Sequence, residues 1–188
     1  EDYNNVNYDF TFFENCFKLI QVSSFRKQKD QMTVLRAMKL LPDIVKLILV
    51  GDGQLKSIHE EYVSKNNLKD RILFLGNRKD IPELLNYSDV VIQSSHYEGF
   101  GLTAIEGMAS GKPVVASNVD GLNEVVGGFG ILFHKGNHNE LSEKILKLLA
   151  DKEYYNSIKK SCFKRSQDFS IEKMTTNYLQ SYNNLLNT

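Results

Sequence analysis

The densest group of residues able to do chemistry lies between positions 96 and 113. It reads His96-Tyr97-Glu98-Gly99-Phe100-Gly101-Leu102-Thr103-Ala104-Ile105-Glu106, followed by Gly107-Met108-Ala109-Ser110-Gly111-Lys112-Pro113. Gly99 and Gly101, on either side of Phe100, let the backbone approach a ligand closely. A helix beginning near Leu102 would point its unpaired N–H groups at an anion, and a diphosphate would suit that place. Helical side chains lean toward the helix N-terminus, so Glu106, one turn in, is expected to reach over the loop that carries Glu98. The two carboxylates would then frame one pocket. Ionised carboxylates accept hydrogen bonds from hydroxyls and repel phosphates, so the pair fits a sugar nucleotide, with Glu106 on ribose hydroxyls and Glu98 on the sugar. Each residue also has a plainer explanation. Glu106 complements a helix dipole for about 0.3–1 kcal/mol, and a lone loop histidine such as His96 is ordinarily a surface or packing residue.

A second group, Ser23-Ser24-Phe25-Arg26-Lys27-Gln28-Lys29-Asp30, places several cations just before an expected helix. Free N–H groups, the helix dipole and Lys29 would together favour an anion; a solvated basic loop is the alternative. Gly51-Asp52-Gly53 begins a GxGxxG pattern, but its third glycine is replaced by Lys56, so a tight turn explains it as well. No GxxxxGK[ST] run is present.

The elements that must position these loops alternate. Short apolar runs at 18–22, 46–50, 72–75, 90–92, 114–116 and 130–133 read as strands, separated by amphipathic helix-length segments such as 29–41 and 54–66. Pro82 opens a short helix and Pro113 begins a strand. Further helices are expected over 138–149 and from Ile171 to the end. This order predicts an α/β fold, a Rossmann-like three-layer α/β/α sandwich on a mainly parallel six-stranded sheet. Ligands in such sheets bind beyond the carboxyl ends of the strands, where the two groups above fall.

The 188 residues, 41% of them hydrophobic, suffice for one well-packed domain, expected over 16–188 with 1–15 as a lead-in from a preceding region. The chain begins at Glu1 and reads as part of something longer. Lys+Arg and Asp+Glu balance at 23 each, so charge gives no reason to expect a nucleic-acid partner. Cys16 and Cys162 lie far apart with no metal-ligand spacing, which suits a reducing cytoplasm.

Taken together, Glu98-Gly99-Phe100-Gly101-Leu102 through Glu106, Gly111-Lys112-Pro113-Val114-Val115-Ala116, Gly121, Glu124-Val125-Val126, Phe25 to Asp30, Gly51-Asp52-Gly53 and Leu75-Gly76 resemble the retaining GT-B glycosyltransferases with an E-x7-E motif, glycosyltransferase family 4 or "glycosyl transferases group 1". The resemblance covers residues 17–187 and implies the C-terminal, donor-binding half of such an enzyme, acting in polysaccharide or glycan synthesis. It implies a nucleoside diphosphate sugar as donor. Lys29 and the helix start at Gly101, Leu102 and Thr103 would meet the departing diphosphate, without a cofactor or an obligatory metal. Glu98 would lie by the donor sugar, Glu106 on the ribose, and the backbone near Asn77 and Arg78 on the base, with Gly99 and Phe100 lining the loop. Many members carry an Arg where this chain has Ser24, so either Lys29 does more of the work or Arg26 takes the role. The acceptor, a glycan or a lipid-linked one, would be held by an N-terminal domain, so this half alone is expected to be inactive. Its location would be cytoplasmic or peripheral at the inner membrane face, and its last helix would leave an apolar face open to self-association. A sugar-nucleotide epimerase-like relative and a non-catalytic α/β interaction module are the alternatives.

Overall fold

The computed structural model describes residues 13–186; residues 1–12 of the expected lead-in lie outside the described residues. Six strands form one parallel sheet: β1 (Phe17–Val22), β2 (Val45–Val50), β3 (Ile72–Gly76), β4 (Val90–Gln93), β5 (Val114–Ser117) and β6 (Ile131–Phe133). Their spatial order is β3-β2-β1-β4-β5-β6. Chain order runs outward in one direction as far as β3 and then resumes from β1 in the other. The reversal falls between β1 and β4, which pair in register at Leu19 with Val90 and Ile20 with Val91.

The strands are short runs of Val, Ile and Leu because helices cover both faces, and side chains alternate between them. Leu19, Leu47, Leu49, Val90 and Ile92 face one layer, formed by α1 (Gln31–Met38), α2 (Lys56–Lys65) and α6 (His138–Ala150). Ile20, Ile48, Val91, Val114 and Ala116 face the other, formed by α3 (Ile81–Tyr87), α4 (Leu102–Ala109) and α5 (Asp120–Val126), with Cys162 of α7 (Lys152–Ser166). The expected three-layer α/β/α sandwich is therefore the observed fold. The helix α5 was not anticipated, since seven residues give too little periodicity to register. On α8 (Ile171–Leu186) the apolar residues Ile171, Met174, Leu179, Tyr182 and Leu185 are each more than half exposed.

Two local corrections concern loops at the carboxyl ends. The first helix starts at Gln31 rather than near Lys29, because residues 27–29 make a 3-10 turn and Asp30 adopts a left-handed conformation, φ 41° and ψ 46°. The Asp30 carboxylate accepts from the Thr33 N–H at 3.4 Å and its hydroxyl at 2.7 Å, so the anion at this helix end is the chain's own. The Gly51-Asp52-Gly53 loop is more than a tight turn. It lies flush against the loop after β1, where a Cβ on Gly51 or Gly53 would come within 2.2 Å of the Ser23 carbonyl oxygen or 2.6 Å of that of Phe25.

Beneath this contact, His59 of α2 is 4% exposed and packs against Phe25, with ring centroids 5.6 Å apart. Burial lowers its pKa from the ordinary 6.5, more than neighbouring Asp30 raises it. The folded state thus favours neutral imidazole, and the unfolded chain takes up the proton first as pH falls. Stability from this site is complete above about pH 6.5 and declines below it. Thermal melts between pH 7.5 and 5.5 are expected to show a smaller acid loss in His59→Gln than in the unsubstituted chain.

Candidate functional site

The loops after β1 and β4 meet at the reversal in strand order, tied by hydrogen bonds to the backbone of the first loop. His96 N–H donates to the Gln28 carbonyl at 2.8 Å, and the Ser94 hydroxyl donates to the Asp30 carbonyl at 2.9 Å. Gln21, fully buried near the end of β1, gives its amide to the Lys29 carbonyl at 3.0 Å and the Ser94 carbonyl at 3.3 Å. These bonds aim the Lys29 side chain across the sheet, where its ammonium pairs with Oε2 of Glu98. Both side chains are largely sheltered, 18% and 13% exposed, so the attraction is less screened by water than at an open surface.

Of three neighbouring depressions, the first is lined by this pair. The first, about 270 Å³, is lined by Lys29, Gln93, Glu98, Phe100, Gly101, Leu102 and Thr103. Thr103 also lines the second, about 290 Å³, with Ser24, Asn77, Arg78 and Ile81. Ile81 in turn lines the third, about 230 Å³, which contains Glu106. The shared residues place them as neighbours in a row near the carboxyl ends of the strands. Thr103 marks its middle. There α4 begins from Gly101, which adopts a left-handed conformation, and no side chain caps the helix. The first N–H groups of α4 are therefore open to an anion.

The structure brings Lys29, Glu98, Phe100, Gly101, Leu102 and Thr103 into one depression, and Ser24, Asn77 and Arg78 into the next. Two expectations change. Glu98 and Glu106 do not frame a single pocket: Glu106 reaches from one turn inside α4 toward Ile81 and Pro82 of α3, and the middle depression intervenes. The residue is exposed at its surface, while partial desolvation raises its carboxyl pKa. Arg26 is exposed on the loop after β1 and lines none of the three depressions, whereas Ser24 lines the middle one. Gly99 is exposed beside Glu98 without lining a depression.

Arg78 is held by Asp80, with Nε at 2.7 Å and Nη2 at 2.5 Å, which lowers the Asp80 pKa. Among the described residues no three His, Cys, Asp or Glu side chains gather to hold a metal ion, and no helix is long and apolar enough to cross a membrane.

Residue-level reading of the sequence missed Gln21 and Gln93. Their signal was present as polar side chains at the carboxyl ends of otherwise apolar strands, where fold alone calls for Val or Leu.

Several solved structures share this fold. That of Anabaena Alr3699/HepE in complex with UDP and glucose superposes with a TM-score of 0.85 at 29% identity, covering 91% of this chain and 49% of that one. Sucrose-phosphate synthase from Thermosynechococcus elongatus gives 0.81 at 30% identity, covering 93% and 46%. In sequence, the chain is 35% identical to an uncharacterized glycosyltransferase of Methanocaldococcus jannaschii over 97% of its own length and 53% of the relative's. It is 33% identical to the N-acetyl-alpha-D-glucosaminyl L-malate synthase of Bacillus anthracis, over 89% and 45%. The chain thus spans about half the length of these relatives. The family model for glycosyl transferases group 1 matches residues 8–165.

The Glu98 loop rests on α5, where a Cβ on Gly121 would come within 2.4 Å of the Glu98 carbonyl oxygen and 2.7 Å of the Gly99 carbonyl carbon. Gly121→Ala is expected to cost about 1–3 kcal/mol in chemical denaturation, as overpacking does. It should also speed amide exchange over residues 98–101.

Proposed function

The chain belongs to the glycosyl transferases group 1 family, and from that premise we propose that it holds the nucleoside diphosphate sugar donor of a retaining glycosyltransferase. One observation carries the reading: Lys29, Glu98, the uncapped start of α4, Arg78 and Glu106 line neighbouring depressions that share Thr103 and Ile81. Between them the depressions offer a contact for each part of the ligand. The donor sugar sits by Glu98, the diphosphate at the N–H groups of Leu102 and Thr103, and the ribose against Glu106. The base lies by the backbone of Asn77 and Arg78. The relative solved with UDP makes uracil the base of choice.

Lys29 has two roles in this scheme. Its ammonium neutralises Glu98 as the structure stands, and it lies within the same depression as the α4 start that would receive the diphosphate. As the bond from sugar to phosphate breaks, charge grows on the phosphate oxygens. Fixed N–H donors and a sheltered ammonium lower the energy of that state more than water does, because they need no reorganisation. Ser24 offers the middle depression a hydroxyl rather than a guanidinium, so Lys29 and the helix carry most of the electrostatic work. The acceptor, a glycan or a lipid-linked one, is supplied by a region of the protein outside this chain. Transfer requires both substrates in contact, so the isolated chain binds donor without turning it over.

Calorimetric titration with UDP tests the site directly. UDP should bind, and Lys29→Ala and Glu106→Ala should each weaken it by about tenfold or more, as loss of a charged hydrogen bond does. No heat at millimolar UDP, or affinities untouched by either substitution, would refute the assignment. The raised Glu106 carboxyl adds a pH signature. Only the ionised form accepts from both ribose hydroxyls, so its contribution should fade at a higher pH than an ordinary carboxylate's as the solution is acidified. UDP affinity should therefore fall more on acidification in the unsubstituted chain than in Glu106→Gln.

A further inference from the structure

We propose that Gln93 is a positioning residue for the donor sugar, one that fixes the orientation of the Glu98 carboxylate. This rests on the donor reading above and extends it to a residue outside the usual machinery of charges and glycines.

Gln93 is the last residue of β4, 1% exposed, and registers with Ala116 of β5. The three residues before it, Val90, Val91 and Ile92, are fully buried. A strand in this position gains nothing in stability from an amide. Indeed the Oε1 atom of Gln93 is buried without a hydrogen-bond partner. An unmatched buried acceptor is destabilising, and an apolar side chain of similar shape would pack there without that cost. What the amide does make is a bond into the site. Its Nε2 lies 3.4 Å from Oε2 of Glu98, the same oxygen that pairs with the Lys29 ammonium, and Gln93 lines the depression that both enclose.

Two donors on one oxygen pin the carboxylate, and among the described residues no hydrogen bond is made to Oε1 of Glu98. That oxygen is left for a hydroxyl of the sugar. The amide matters most when Lys29 turns to the diphosphate. Lys29 then withdraws from Glu98, and a carboxylate held by the ammonium alone would be free to change rotamer or follow it. Gln93 cannot leave, because it is part of the sheet. It keeps Glu98 facing the sugar while Lys29 serves the phosphate, and being neutral it does not compete for either charge.

Gln93→Met keeps the side-chain shape and removes the donor. Melting temperature, titrations with UDP, UDP-glucose and UDP-N-acetylglucosamine, and crystal structures of both proteins give separable readouts. The variant should melt no lower than the unsubstituted chain and bind UDP equally well. It should lose about tenfold in affinity for whichever sugar nucleotide binds tighter than UDP, the effect of one hydrogen bond to a charged group, and Glu98 should spread over several rotamers. The proposal is overturned if sugar-nucleotide affinity is unchanged, or if it falls in step with UDP affinity and melting temperature, which marks a packing role. Should the unsubstituted chain bind no UDP, the donor reading fails by itself. The crystal structures still decide on Gln93: a single, unmoved Glu98 rotamer in the Met variant overturns its role.

Discussion

Everything at this site follows from the pairing of β1 with β4. The two strands lie side by side although two βα units separate them in sequence, and chain order reverses across their junction. Helices leave the sheet toward opposite faces on either side of such a junction, so a crevice opens above it. Lys29 arrives from the β1 side and Glu98 from the β4 side, and no other part of the sheet would bring them together. Hydrogen bonds between the loops, backbone to backbone at His96 with Gln28 and from the Ser94 hydroxyl to the Asp30 carbonyl, make the crevice a fixed feature.

Fixing the loops is what makes the electrostatics useful. The chain as a whole is neutral, so no broad field draws an anion in. The charge is local and already paired, Lys29 with Glu98 and Arg78 with Asp80. A paired lysine in a sheltered place costs little to keep and can be redirected when a phosphate competes for it, whereas an isolated one would pay the full desolvation penalty. The unpaired electropositive element is instead the start of α4, whose N–H groups cannot rearrange. The polar residues beneath, Gln21, Gln31 and Gln93, each bury an amide oxygen without a partner. Such departures from a satisfied interior concentrate where a protein trades stability for placement.

The close-packed glycines belong to the same logic. Gly51 and Gly53 let the loop after β2 lie against that after β1, and Gly121 lets α5 support the Glu98 loop from below. Backbone thus rests on backbone around the crevice, and the side chains that would touch ligand are placed by contacts with no rotamer freedom. On α8, Met174 and Tyr178 line a further depression with Phe100, Leu102 and Phe169.

The amino-acid sequence by itself determined the layers, because runs such as Lys46-Leu47-Ile48-Leu49-Val50 can be apolar throughout only where both faces are buried. It also singled out the loop over 98–106, where glycines, carboxylates and a helix start coincide along the chain. Tertiary structure alone decided how those residues are shared out. Glu98 and Glu106 fall in different depressions, Glu106 in the one that Ile81 and Pro82 of α3 also line. Whether Arg26 enters the cleft depends on the left-handed turn at Asp30 and the 3-10 turn before it, which leave Arg26 outside and send Lys29 inward. Gln93 reads in sequence as a flaw in a strand, and only its distance to Glu98 gives it a role. Strand patterning is a property of neighbours along the chain. The site is made of contacts between residues far apart in the chain, such as Lys29 and Glu98, 69 positions apart, or Gln21 and Ser94, 73 apart, and nothing local encodes those.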